Sequence, residues 1–452
     1  MFEEIFQLLS HFDLDAPNSI DRISGITPRR LRIIYESLWR EIYESQYNSA
    51  LNAIEGQSFR FLAGPSIRGE NCAGCRPGKL EFLARYATLY SDFVILPLPL
   101  YSPEDVYITD KARWNLQSTL GALFQLKAPI EAGVIRPAVM TTAECEHTLP
   151  KAQELVDIAT LYADELADQE FEKFTMYYKP NSGSNLPPTL YVDGPTEYLE
   201  HGSIAIEYPE PPAWIAKSWR PDASGRILVP ITKARRTGWV QHIFRQIAAN
   251  TTFHMAYGAL WQAKFLTDLR GETVLMGGLD DEGTRREMHS ATLFRAMAHS
   301  LPFIDNLPIV ELLRLRNEIR ESFEQYRWAI SSILRRHSGD QTLSKRAADE
   351  ICMTELVPKI AALENRVAAE KERFKGKLLT TGGVMSLLVA LGMNGTLTPP
   401  QVFGLLGGAA SLRVADMLSE ARSPTVETST QDVYFLLRLK QAQRRKRNHL
   451  GR

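Results

Sequence analysis

Between Leu378 and Leu412 the chain reads LLTTGGVMSLLVALGMNGTLTPPQVFGLLGGAASL, with no charged residue, although 23% of the whole sequence is Asp, Glu, Lys or Arg. Such a run must be kept from water by a core, a partner or lipid, and that requirement limits what the remainder can fold into. The turn NGTLTPP at 394–400 divides it into two segments of about 17 residues, the lower limit for a helix that crosses a bilayer. Pro399 and Pro400 stand where the second helix would start. Gly404 and Gly408 form a small-xxx-small pair that lets helices approach closely. Thr380, Thr381, Ser386, Gln401 and Ser411 lie inside the run, and its ends carry no tryptophan or tyrosine belt, which argues against a permanent span. The expectation is a glycine-rich apolar helical hairpin, sheltered in the resting protein, that docks a partner or enters a membrane conditionally.

A length of 452 residues exceeds one ordinary core and predicts two or three domains. Net charge of −1 provides no general attraction to nucleic acid, so nucleic acid is not an expected partner. The opening MFEEIFQLLSHFDLD has acids in place of a basic leader, and four cysteines make no disulfide framework. Both features predict the reducing cytoplasm, with only conditional or peripheral membrane contact.

The predicted fold class is mainly α, with a small N-terminal α/β part and a β-rich insertion. Residues 1–172 read as a helical and α/β domain. Thr27-Pro28 caps a helix with Leu31, Ile34, Leu38 and Ile42 at helical spacing. Strands at 58–63, 93–98 and 134–140 then alternate with helices at 79–92 and 109–128, a βαβαβ pattern. Pro97 and Pro137 sit awkwardly in it, because proline removes a ladder donor. A helix over 149–172 leads to the β-rich insertion at 173–231. Residues 232–375 read as a long-helix domain. One continuous helix is expected over 233–268, with Val240, Ile243, Ile247, His254, Tyr257, Trp261 and Phe265 on one side. Ile309, Leu312, Ile319, Phe323, Tyr326, Ile330 and Ile333 mark a second, and Ile360, Leu363, Val367 and Phe374 a third, giving a coiled-coil-like pair. Residues 376–452 comprise the apolar hairpin and a basic tail, 438–452, which reads first as a solvated terminus and otherwise suits anionic lipid or nucleic-acid phosphates.

The strongest chemical signal is GENCAGCRPGK, which holds Cys72 and Cys75 two residues apart, a spacing that lets two thiolates share one tetrahedral zinc. Cys145 and His147 in ECEH supply a second half-site. In the βαβαβ reading both pairs follow the carboxyl ends of strands, and a strand order 2-1-3 makes those strands neighbours. A complete Cys3His set is closed, so the expected cofactor is a structural zinc. Redox-active thiols are the competing use of the cysteine pair, and Cys352, within a helix, reads as packing.

Other patterns carry less. GCRPGK lacks the length and the Ser/Thr of a phosphate-binding loop, with Leu80 in the decisive place. Asp280, Asp281 and Glu282 read as a solvated turn, His289 and His299 as ordinary histidines, and His254 as a satisfied core histidine. Glu200, His201 and Glu207 form the best acid/base cluster available. No pattern requires catalysis. The functional expectation is a cytoplasmic, non-enzymatic interaction or effector protein of the kind found in toxin or antiviral systems. Its partner would be another protein or a second copy of itself, with anionic membrane contact through 378–412 and 438–452. The alternative is a metal-dependent hydrolase or nuclease acting at the strand-end Cys/His cluster.

Overall fold

The computed structural model describes residues 2–51, 59–68, 74–100, 110–139, 149–179, 189–199, 201–206, 222–267, 269, 271, 272, 275, 297, 307–318, 320–337, 345–361, 435, 436 and 438–440. They belong to two compact units, Met1–Ala291 and Thr292–Arg452. The chain is mostly helical, with one four-stranded parallel sheet and one four-stranded antiparallel sheet. The stretch 378–412 and the tail beyond residue 440 lie outside the described residues.

In the first unit, α1 (Glu3–His11) and α2 (Pro28–Leu51) precede the parallel sheet. The Thr27 hydroxyl accepts from the Arg30 amide at 3.5 Å, satisfying one orphan donor of the first turn. Leu31, Ile34, Leu38 and Ile42 are all buried. Strands β1 (Arg60–Ala63), β2 (Phe93–Leu98) and β3 (Ile135–Val139) are parallel. They are joined through α3 (Pro65–Arg68), α4 (Arg76–Tyr90), α5 (Asp110–Gln125) and α6 (Lys127–Glu131). Strand β2 is buried along its whole length, as an apolar run covered on both faces must be.

Helix α7 (Leu149–Glu170) leads into the antiparallel sheet of β4 (Thr175–Lys179), β5 (Thr189–Asp193), β6 (Ser203–Ile206) and β7 (Ile227–Leu228), in the order β6-β5-β4-β7. The expected β-rich region is therefore present. Met176, Tyr178, Leu190, Val192 and Ile227 point to one side and share a core with Ala163, Ala167, Val240 and Phe244. Alternation along each strand turns the remaining residues outward.

The continuous helix expected over 233–268 is interrupted twice. Helix α8 (Ile231–Thr237) ends at Gly238, whose φ of 70° is left-handed and favours glycine. Helix α9 (Trp239–Leu260) then packs on α7, with Arg245 gripping Asp164 through two bonds of 2.7 and 2.6 Å. Past Gln262 the chain straightens into β8 (Lys264–Leu266), which pairs with β1 in parallel. Tyr257, Trp261 and Phe265 recur every four residues, so periodicity alone continues the helix through a strand that is only three residues long.

Strand β8 also explains why the sheet order is β3-β2-β1-β8 rather than the expected 2-1-3. The flank of β1 that β3 needed is occupied by β8. Both crossovers step the same way, and β1 and β3 stand on either side of β2, roughly 10 Å apart at about 4.8 Å per strand.

In the second unit, α10 (Ile309–Glu318), α11 (Arg320–His337) and α12 (Lys345–Ile351) are helical, and α12 continues through a π-helical turn, Cys352–Leu356, to residue 361. Leu312, Phe323, Tyr326, Ile330, Ile333 and Ile360 are buried, matching the expected apolar seams. Cys352 is buried packing, and Ile319, Leu363, Val367 and Phe374 are outside the described residues. The third helix therefore begins near 345, well ahead of Ile360, the first residue of its expected seam.

Candidate functional site

Parallel α/β sheets place their ligand sites beyond the carboxyl ends of the strands. Here that edge starts at Gly64, which follows β1 and whose amide donates to the Leu266 carbonyl at 2.8 Å. A Cβ at this position would lie 2.6 Å from the Phe265 ring, so only glycine fits. The next turn brings Ser66 and Arg68 inward, where both are buried together with His254, Thr267 and Glu272.

Among the described residues, the Arg68 guanidinium reaches the main chain twice and one side chain. Its Nε donates to the Gly64 carbonyl at 3.3 Å, one terminal nitrogen donates to the Pro97 carbonyl, and the other meets His254 Nε2 at 3.0 Å. The His254 Nδ1 lies 2.6 Å from the Asn250 carbonyl. A carbonyl can only accept, so Nδ1 carries the proton and Nε2 offers its lone pair to Arg68. His254 is thus a neutral, satisfied core histidine, as expected.

The same geometry accounts for Pro97. It lies two residues past Ile95, the last residue of β2 that pairs with β1, so its missing N–H falls where that pairing has ended. Its carbonyl, on that same side, is taken by Arg68. Pro137 is tolerated because β3 is an edge strand.

Beside Arg68, the Thr267 hydroxyl donates to Glu272 Oε2, while Ser66 Oγ stands 2.9 Å from Thr267 Oγ1 and 3.2 Å from the same carboxylate oxygen. Thr267 Oγ1 also accepts from the Leu269 amide at 3.1 Å. One residue before Glu272, the Gly271 amide donates to the Glu197 carbonyl at 2.6 Å, and a side chain there would strike Tyr198. The cluster therefore ties the parallel sheet to a turn of the antiparallel one. Its serine and its histidine bond to different partners, so no nucleophile–base pair is assembled from them.

None of these residues except His254 stands out in the sequence. GPSIR directly after a strand is the one usable signal for Ser66 and Arg68. Thr267 is hidden by the misread helix, and Glu272 lies past its expected end without a spacing motif.

A second polar location is a shallow basin of about 430 Å³ on the outer face of the antiparallel sheet, lined among others by Lys173, Tyr177, Asp193, His201 and Arg226. Tyr177 donates to Asp193 Oδ1 at 3.3 Å, and Arg226 lies over the Tyr177 ring at 4.5 Å with a nitrogen 3.6 Å from Asp193 Oδ2. Burial first, and then the Asp193 charge, raises the Tyr177 pKa above its ordinary value. Lys173 pairs with Glu170. Most of the charge in the basin is therefore matched internally. His201 is exposed at its rim, while Glu200 and Glu207 lie outside the described residues. So do Asp280, Asp281, Glu282, His289 and His299.

Of the four expected zinc ligands, Cys75 is described. It is half-buried at the N-cap of α4, at the carboxyl edge of the parallel sheet. Cys72, Cys145 and His147 fall outside the described residues. Among the described residues no group of three or more His, Cys, Asp or Glu side chains is arranged to hold a metal. No described helix is long and apolar enough to cross a membrane. No protein-family model, curated protein or solved structure matches the chain.

Proposed function

We propose that the protein is a cytoplasmic, non-enzymatic effector whose second unit carries an uncharged hairpin, 378–412, sheltered at rest and released to a partner or a membrane. The observation that carries this reading is the anchoring of both flanks of that segment on one helix. Before it, Glu355 pairs with Arg336 of α11 at 2.6 Å, and Leu356 and Ile360 are buried. After it, Phe435 packs on the same helix, with ring centroids 5.1 Å from Phe323 and 5.3 Å from Tyr326, and Leu436 and Leu439 are also buried. The uncharged segment lies within the stretch between these two anchors, so it can be held back or let out without unfolding its support. The mutual satisfaction of Ser66, Arg68, His254, Thr267 and Glu272 favours a structural rather than a catalytic carboxyl edge.

In this reading a structural zinc joins Cys72 and Cys75 to Cys145 and His147. The carboxyl ends of β1 and β3 lie on the same edge, and the intervening roughly 10 Å is within reach of the segments that follow them at about 3.3 Å per residue. The test of the effector reading is Leu388→Asp and Phe403→Asp. A sheltered hairpin would bury an unpaired charge in each, so both variants should lose solubility or unfold early. Soluble variants that melt like the wild type would overturn the sheltered state.

A further inference from the structure

Antiparallel sheets expose rows of main-chain donors and acceptors at their edges, and proteins blunt these rows with proline, charge or shortness. Strand β7 is two residues long and is soon followed by Pro230, β8 has three residues, and β3 carries Pro137. Strand β6, Ser203–Ile206, has none of these protections: its sequence SIAI holds no charge and no proline, and Ser203, Ile204 and Ala205 are exposed. Among the described residues no strand pairs with its outer side.

The direction of its free groups follows from the register. Gly194 donates to the Gly202 carbonyl at 2.9 Å, next to the Asp193–Ser203 pair. Hydrogen-bonded pairs alternate along an antiparallel ladder, so Ile204 and Ile206 turn their main-chain groups toward β5. Ser203 and Ala205 turn theirs away from the sheet. On the core side, Ile204 stands opposite Val192 yet remains 36% exposed, an apolar edge that the sheet does not cover.

We propose that β6 pairs antiparallel with β6 of a second copy of this chain, about a two-fold axis through Ile204, joining the two antiparallel sheets into one. Ser203 of each copy then bonds to Ala205 of the other, using the outward groups. Ile204 meets Ile204, a β-branched cross-strand pair that covers the exposed side chain. No like charges are opposed within the strand. That self-complementarity is why a second copy, rather than an unrelated peptide, fits this edge. The dimer stands whether or not residues 378–412 ever enter a membrane.

Sedimentation velocity of the full chain over a dilution series tests the proposal. The wild type should be a dimer that dissociates on dilution. Ala205→Pro removes only an outward N–H, and Ile204→Lys sets lysine against lysine across the axis; each should be monomeric where the wild type is dimeric. Hydrogen exchange at Ser203 and Ala205 of the wild type should slow as concentration rises, and this readout needs no variant to fold. A wild type that stays monomeric, a dimer that survives either folded variant, or exchange at those amides independent of concentration would overturn it.

Discussion

Replacing Arg68 by methionine keeps most of the aliphatic stem and removes the guanidinium from the carboxyl edge. The Gly64 carbonyl keeps a partner, the Arg68 amide at 3.2 Å, so the acceptors put at risk are the Pro97 carbonyl and His254 Nε2. Each buried acceptor left without a donor costs about 1–3 kcal/mol. Removing a buried charge returns part of that, because the guanidinium no longer has to be held out of water. The net expectation is a loss of about 2–4 kcal/mol, a large share of a domain stability of about 5–15 kcal/mol. Urea unfolding followed by tryptophan fluorescence reads this directly, since Trp39, Trp114, Trp239 and Trp261 all lie in the first unit. His254→Leu should also destabilise, and the double variant should cost less than the two singles added, by about 1 kcal/mol or more for groups in contact. An Arg68→Met variant within about 0.5 kcal/mol of wild type, the range of neutral surface changes, would refute the reasoning. So would strict additivity.

Three further outcomes follow from the same structure. Phe435→Ala should destabilise the second unit by about 3 kcal/mol, as large-to-small core changes do, read through Trp328 fluorescence, and a neutral effect would remove the anchor argued for the uncharged segment. Protein purified without chelator should hold one zinc per chain by elemental analysis, and Cys75→Ser should release it; metal-free wild type would end the zinc proposal. For Tyr177, whose pKa is raised in the fold, the neutral phenol favours the native state. The sign is that this contribution is present below the ordinary tyrosine pKa of about 10 and is lost as pH rises through the higher native value. Tyrosinate absorbance should show Tyr177 and Tyr178 ionising late, both raised by burial, with Asp193→Asn bringing only Tyr177 partly back because its burial remains.

Local signals in the chain were readable where a single interaction decides them. The Thr27-Pro28 cap, the apolar spacing of Leu31 to Ile42 and the fully apolar β2 each act within a few residues, and each appears as expected. The strand order was not readable, because it depends on β8, which is distant in sequence from β1 and continues the four-residue spacing of the helix before it. The polar cluster escaped for a related reason. Ser66 and Glu272 meet across 206 positions, and neither belongs to a spacing motif. Conversely, Pro97 looked like evidence against a strand until its carbonyl was found on Arg68, a contact invisible to propensity. Of the zinc set, Cys75 lies at the expected edge, although β2 stands between the two strands expected to be neighbours.

The central claim is that the uncharged stretch 378–412 is sheltered while the protein rests. Fractionation of the native protein, with and without an alkaline carbonate wash, addresses it most directly. The account predicts that resting protein is found outside the membrane pellet, or is released from it by carbonate. Protein that stays in the pellet through the wash would show the stretch to be embedded already, and would contradict the account.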